Sequence, residues 1–120
     1  MTHDDANRWL QAYVDAWRSY EPDAIGALFT ADARYRYHPW DDPLEGRDAI
    51  VADWLANKDE PGTWEAAYEA WAVEGERVVA VGTSSYDEAA GKRKYHNVFL
   101  IELDADGRCR AFTEVYAKER

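Results

Sequence analysis

Leu10, Tyr13, Val14 and Trp17 recur at the i, i+3, i+4, i+7 spacing that puts four side chains on one stripe of a helix. Thr2 followed by Asp5 fits a capping box, so this helix is predicted to run from there to about Ser19. Glu21-Pro22 breaks it, because proline lacks an amide hydrogen but suits a first helical turn. A second, short helix then turns Ile25, Leu28 and Phe29 inward. From Ala33 to His38 the pattern alternates, with Tyr35 and Tyr37 set against Arg34, Arg36 and His38, which predicts a strand. Pro39 ends its ladder, and residues 41–46 form a turn-rich connection. A third helix, from Arg47 to about Lys58, buries Ile50, Val51, Trp54 and Leu55, and Pro61-Gly62 closes it.

After Thr63 the period is two. Strands are predicted over Trp64–Val73, Arg77–Tyr86, Lys94–Leu103 and Arg108–Lys118, joined by Glu74-Gly75, a polar loop over 87–92 and the turn at 104–107. Three helices, one early strand and a four-stranded meander make an α+β domain. The helices are expected to cover one face of a strongly bent, mainly antiparallel sheet. Val78–Val81 and Val98–Ile101 are apolar on both faces, so the outer face needs a cover of its own. A second copy of the chain is the simplest one, which predicts a homodimer. Repeats and linkers are absent, so residues 1–120 read as a single domain.

Composition narrows the function. The net charge of -10 disfavours nucleic acid and anionic membrane surfaces. No apolar run approaches the roughly 20 residues that span a bilayer, and the polar N-terminus is unlike a signal peptide. Cys109 is the single cysteine, so an intrachain disulfide is impossible and a reducing cytoplasm is the expected setting. Six Trp and eight Tyr exceed what a small core needs, and such residues also wall ligand cavities.

The candidate chemistry centres on His38, an imidazole flanked by Tyr35, Tyr37 and Trp40. Such a ring takes a proton near neutral pH and can serve as general acid or base. Glu114 shares a face with Phe112 and Tyr116 if period two holds, and would then steady the His38 imidazolium; the opposite parity would turn it outward. Asn97 lies on one strand face with Tyr95, Phe99 and Ile101, where its amide can orient a ligand, whereas His96 lies on the opposite face. Tyr13 can donate to a developing oxyanion, with Trp17, Tyr37 and Trp54 as wall residues. Each of these also has an ordinary structural reading, as a core ring or a satisfied strand partner. Arg34 and Arg36 are expected in salt bridges with Asp41, Asp42 or the helix acids. No metal-ligand spacing and no glycine-rich phosphate loop is present, so neither a metal nor a cofactor is expected.

Tyr13-Val14, Ala27-Leu28-Phe29 with Asp32-Ala33, the run from Pro43 to Ile50, and the Asp106-Gly107-Arg108 turn into the last strand carry a family resemblance. The order of elements resembles the nuclear transport factor 2-like superfamily, also called SnoaL-like. That resemblance implies a cone-shaped fold with a central cavity. Its members include isomerases, cyclases, hydrolases, dehydratases and plain binding modules. Similarity to ketosteroid isomerase puts Tyr13 at that enzyme's tyrosine, His38 at its base before Pro39, and Phe99 at its second acid. The same comparison puts Phe112, Glu114 and Tyr116 on the cavity side. The expectation is an acid–base enzyme of isomerase, cyclase or hydratase/hydrolase type, acting on a small, mostly apolar and partly polar molecule. Its alternative is a non-catalytic ligand binder or a dimerising interaction module.

Overall fold

A computed structural model describes residues 1–120. Helix α1 spans His3–Ser19 and starts at the predicted capping box. The Thr2 hydroxyl accepts the Asp5 amide at 3.1 Å, and the Asp5 carboxylate accepts the Thr2 amide at 3.0 Å. Two of the amides that a helix start leaves unpaired are thereby satisfied. The helix ends at Tyr20, whose φ of 51° is left-handed and whose amide closes onto the Ala16 carbonyl at 2.8 Å. Helix α2 covers Pro22–Gly26 and α3 covers Arg47–Ala56.

Six strands form one open mixed sheet: β1 Phe29–Arg36, β2 Leu44–Glu45, β3 Trp64–Glu74, β4 Arg77–Glu88, β5 Gly91–Leu103 and β6 Cys109–Lys118. Their order is β2-β1-β6-β5-β4-β3, antiparallel throughout except where β1 runs parallel to β6. Helix α1 lies against β3 and α3 against β1, so helices line one face of the sheet. The α+β class and the mainly antiparallel sheet agree with the sequence pattern.

The differences lie at element ends, where pairing partners decide. Phe29 opens β1 rather than closing α2, because Cys109 of β6 pairs with it. That strand stops at Arg36, so Tyr37 and His38 fall in the following loop. Leu44 and Glu45, read as turn, pair with Tyr35 and Arg34. The β4–β5 hairpin is longer than expected, with pairing as far as Glu88 and Gly91. Arg34 meets Glu45 at 3.6 Å, and Arg36 donates to the Asp41 carbonyl at 3.1 Å, so neither forms a salt bridge with the Asp41 or Asp42 carboxylate.

The core is an aromatic stack. The Phe112 ring is near-parallel to that of Tyr35, at 4.5 Å between ring centroids, and to that of Tyr13, at 5.4 Å. Phe99 closes on it from β5 at 4.7 Å. Such pairs contribute about 0.5–1.5 kcal/mol each beyond the area they bury. Gly82 allows β3 its close approach, since a Cβ there would stand 2.0 Å from the Ala67 carbonyl oxygen.

Alternation sends Val79, Val81, Val98, Leu100 and Val115 to the outer face. Leu100 is 48% exposed there, and Trp71, at a register shift in β3, is 72% exposed. No helix is long and apolar enough to cross a membrane.

Candidate functional site

Between α1, the end of α3 and the inner face of the sheet lies a cavity of about 420 Å³. This is within the usual range for small-molecule sites. Five residues that the sequence pattern singled out line it: Tyr13, Trp17, Trp54, Tyr37 and Glu114. A smaller recess of about 260 Å³ continues from it, lined by Asn97, Tyr95, Tyr116 and Arg93. Asp59, Tyr86 and Glu114 border both spaces, so the two adjoin.

Glu114 is the carboxylate at its centre. On β6 it stands opposite Phe99, and the ladder aims both inward. Its Oε2 accepts the Asn97 amide N–H at 2.6 Å, and the Asn97 carbonyl accepts the Ser84 hydroxyl at 3.0 Å. This chain across three strands sets which way the Asn97 amide points. Burial raises the Glu114 pKa above the usual carboxylate value, while the Asn97 hydrogen bond and the nearby His38 act in the opposite sense. Its charge in turn helps push up the phenols of Tyr13, Tyr35, Tyr37, Tyr68 and Tyr86, all of which burial raises first. One half-buried acid is thus ringed by neutral hydroxyls.

Tyr13 and Tyr35 share a hydrogen bond between their hydroxyls at 2.8 Å. One of the two protons is used between them, which leaves the other for a ligand oxygen. Tyr37 donates to Asp53 at 2.6 Å. Trp17 stacks on Trp64 at 3.7 Å between centroids and donates to Asp59 at 2.9 Å. Asp59 also donates its backbone amide to the Tyr20 hydroxyl at 2.8 Å.

His38 is placed differently from expectation. It does not line the cavity, because β1 ends two residues before it. Its ring stacks on Trp40 at 4.8 Å, and Trp40 is itself 79% exposed. Asp41, not Glu114, is its carboxylate partner, at 2.9 Å from Nδ1. Nε2 meets the Tyr116 hydroxyl at 3.1 Å. With Nδ1–H donating to the Asp41 carboxylate, Nε2 accepts from the Tyr116 hydroxyl, so Asp41, His38 and Tyr116 form one hydrogen-bonded chain.

Phe99 and Phe112 are buried in the core behind the cavity wall rather than lining it. His96 lies outside, bonded to Glu119 at 2.7 Å. Cys109 is buried, donates to the Ala111 carbonyl, and has its thiol pushed up to about 12 by burial, which removes it as a nucleophile. Nowhere do three His, Cys, Asp or Glu side chains converge as a metal site would require.

Sequence reasoning missed Tyr20, Asn57, Asp59, Tyr68 and Tyr86 as lining residues. For Tyr68 and Tyr86 the signal was present, since both share the inward parity of Trp64 on paired strands. Asp59 sits in a loop, where no periodicity marks direction.

A model of the SnoaL-like domain matches residues 10–112. No curated protein matches the sequence. Among solved structures, an LEH-like epoxide hydrolase of M. tuberculosis superposes with a TM-score of 0.70 at 14% identity, covering 96% of this chain and 84% of that one. An NTF-2 like protein of unknown function from Burkholderia xenovorans LB400 gives 0.72 at 18% identity, with coverage of 98% and 86%. A candidate ketosteroid isomerase from Kribbella flavida DSM 17836 gives 0.73 at 14% identity, with coverage of 98% and 82%. At these identities the likeness is one of fold.

Proposed function

This chain belongs to the SnoaL-like domain family, and on that premise we propose that its cavity performs cofactor-independent acid–base chemistry on a small, mostly apolar molecule. The observation that carries this reading is Glu114, a half-buried carboxylate with a raised pKa among aromatic walls. Asn97 occupies one of its oxygens and leaves the other for a substrate proton. A carboxylate whose pKa is moved towards the working pH is a better proton carrier in both directions. The hydroxyl pair of Tyr13 and Tyr35 donates to the oxygen on which charge develops. His38 acts through Tyr116, exchanging protons between the mouth and bulk water. Proton transfer beside a carbonyl is the reaction class that this set of groups fits best.

The test is hydrogen–deuterium exchange at the α-carbon of a small aromatic ketone, beta-tetralone, in deuterium oxide. The wild-type protein should accelerate exchange, and Glu114→Gln should remove about 100-fold or more of that acceleration. Exchange no faster than in buffer would overturn the reading. Phe99 favours a second one, because it puts a hydrocarbon ring where similarity to ketosteroid isomerase expects a second acid. A non-catalytic binder would hold the ketone equally well before and after the Glu114→Gln change and exchange nothing.

The outer sheet face supports a second proposal, that two copies pair through it. Val79, Val81, Val98, Leu100 and Val115 form a continuous apolar surface there, and burying it against a copy of itself requires no other partner.

A further inference from the structure

The mouth of the hollow holds one cation. Arg93 is the single Lys or Arg among the residues that line either space. The β4–β5 ladder pairs it with Tyr86, and its neighbour on the same face of β5 is Tyr95. Its guanidinium carbon lies 5.1 Å from the Tyr86 ring centroid and 5.4 Å from that of Tyr95. Two aromatic faces thus hold the group in place, where a free surface arginine would move among rotamers. Nη1 pairs with Glu88 at 3.0 Å. The Nε–H is buried and has no hydrogen-bond partner, and it is the one buried side-chain polar atom of the chain left so. A buried donor without an acceptor costs free energy, and because that atom has no accessible surface, an incoming carboxylate would meet the exposed part of the group, whose side chain is 37% exposed.

We propose that Arg93 recognises a carboxylate on the substrate, so that the molecule taken by this cavity is a small aromatic or alicyclic acid. This rests on the cavity being the substrate site, as proposed above. The apolar body of such a molecule would lie among Tyr13, Trp54 and Tyr68, with its carboxylate in the recess beside Tyr95 and Asn97. A guanidinium is suited to this role because its fork matches the two oxygens of a carboxylate. The net charge of -10 does not forbid an anion, since distant charges are screened beyond about 8 Å at physiological ionic strength. What an anion meets at close range is Arg93, already paired with Glu88, and the carboxylates of Glu114 and Asp59. A neutral amide can accept a hydrogen bond from the arginine but gains no charge pairing, so the preference for the acid over its amide measures that pairing.

Calorimetric titration of the full chain with naphthylacetate and with naphthylacetamide tests this. The two probes share a shape and differ in charge. The acid should bind about tenfold or more tightly than the amide. Arg93→Gln should abolish that preference by weakening the acid far more than the amide, and Arg93→Lys should keep part of it. Raising the salt concentration should weaken the acid alone. Equal binding of the two probes by the wild-type protein would overturn the role of Arg93 and leave the cavity reading standing. Persistence of the preference in Arg93→Gln would do the same. Should Arg93→Gln not fold, the wild-type comparison and the salt series still decide. Failure of both probes to bind would overturn this proposal and the cavity reading together. Glu114→Gln should keep the preference for the acid, which separates binding from proton transfer.

Discussion

Asn97 donates its side-chain amide to Glu114 at 2.6 Å across the β5–β6 ladder, although backbone pairing sets Glu114 opposite Phe99 and Asn97 opposite Tyr116. The contact is therefore diagonal, between side chains two positions out of register on one sheet face. It holds a carboxylate inside an aromatic hollow, and it is the strongest of the influences that lower that carboxylate's pKa.

Glu114 should titrate above the ordinary carboxylate range when its carboxyl is followed by carbon-13 NMR, since burial is the largest influence on it. Replacing Asn97 with Leu, which fills the space without a donor, should move it higher still. His38→Gln should move it in the same direction by less, because His38 ranks below Asn97 as a cause. An ordinary carboxylate titration in the wild-type protein would contradict this.

The same shift predicts a pH dependence of stability. A carboxyl whose folded pKa is raised favours the fold in its protonated form. Its contribution is present below the unfolded value and is lost as pH rises through the folded one. Glu114→Gln keeps an acceptor for Asn97 and carries no charge. Thermal melts should place the variant close to wild type at pH 4 and above it at pH 7. A variant less stable at pH 7 would show that the ionised carboxylate supports the fold.

The hydroxyl pair of Tyr13 and Tyr35 is buried at one wall of the cavity. Tyr35→Phe should cost about 1–3 kcal/mol, because it removes the Tyr13 partner and leaves a buried polar group unsatisfied. The double change to Phe at both positions should cost less than the sum of the two single changes. Urea unfolding of the four proteins measures the coupling, and strict additivity would contradict the bond.

Gly82→Ala should destabilise the chain by about 1–3 kcal/mol. The new methyl would meet the Ala67 carbonyl at 2.0 Å and the Tyr68 ring at 2.5 Å, so β3 must move and carry a cavity wall with it. Denaturant unfolding checks the first effect, and weaker binding of naphthylacetamide checks the second. A variant as stable as wild type would show that the strands separate there at little cost.

Leu100→Lys places a charge in the middle of the exposed outer face. Sedimentation should show a dimer for wild type at micromolar concentration and a monomer for the variant. A wild-type monomer would remove the case for self-association.

Much of this was legible in the chain itself. The i, i+3, i+4, i+7 stripe of α1 and the period-two strands follow from local side-chain chemistry, and both predict which way a residue faces once an element exists. That is why Asn97 could be grouped with Phe99 and Ile101, and Glu114 with Phe112 and Tyr116, while spacing alone left open whether Glu114 faced inward. The position of His38 could not be read from spacing. Pairing of β1 with β6, some eighty positions later, stops at Arg36 opposite Thr113 although β6 itself runs to Lys118. Beyond Arg36 the backbone leaves the sheet ahead of Pro39, and the imidazole goes to the mouth, to Asp41 and Tyr116. Arg93 was equally invisible, since nothing in its neighbours along the chain says that Tyr86 will come to lie beside it. Local periodicity determines facing; only the meeting of distant strands determines which facing groups share a space.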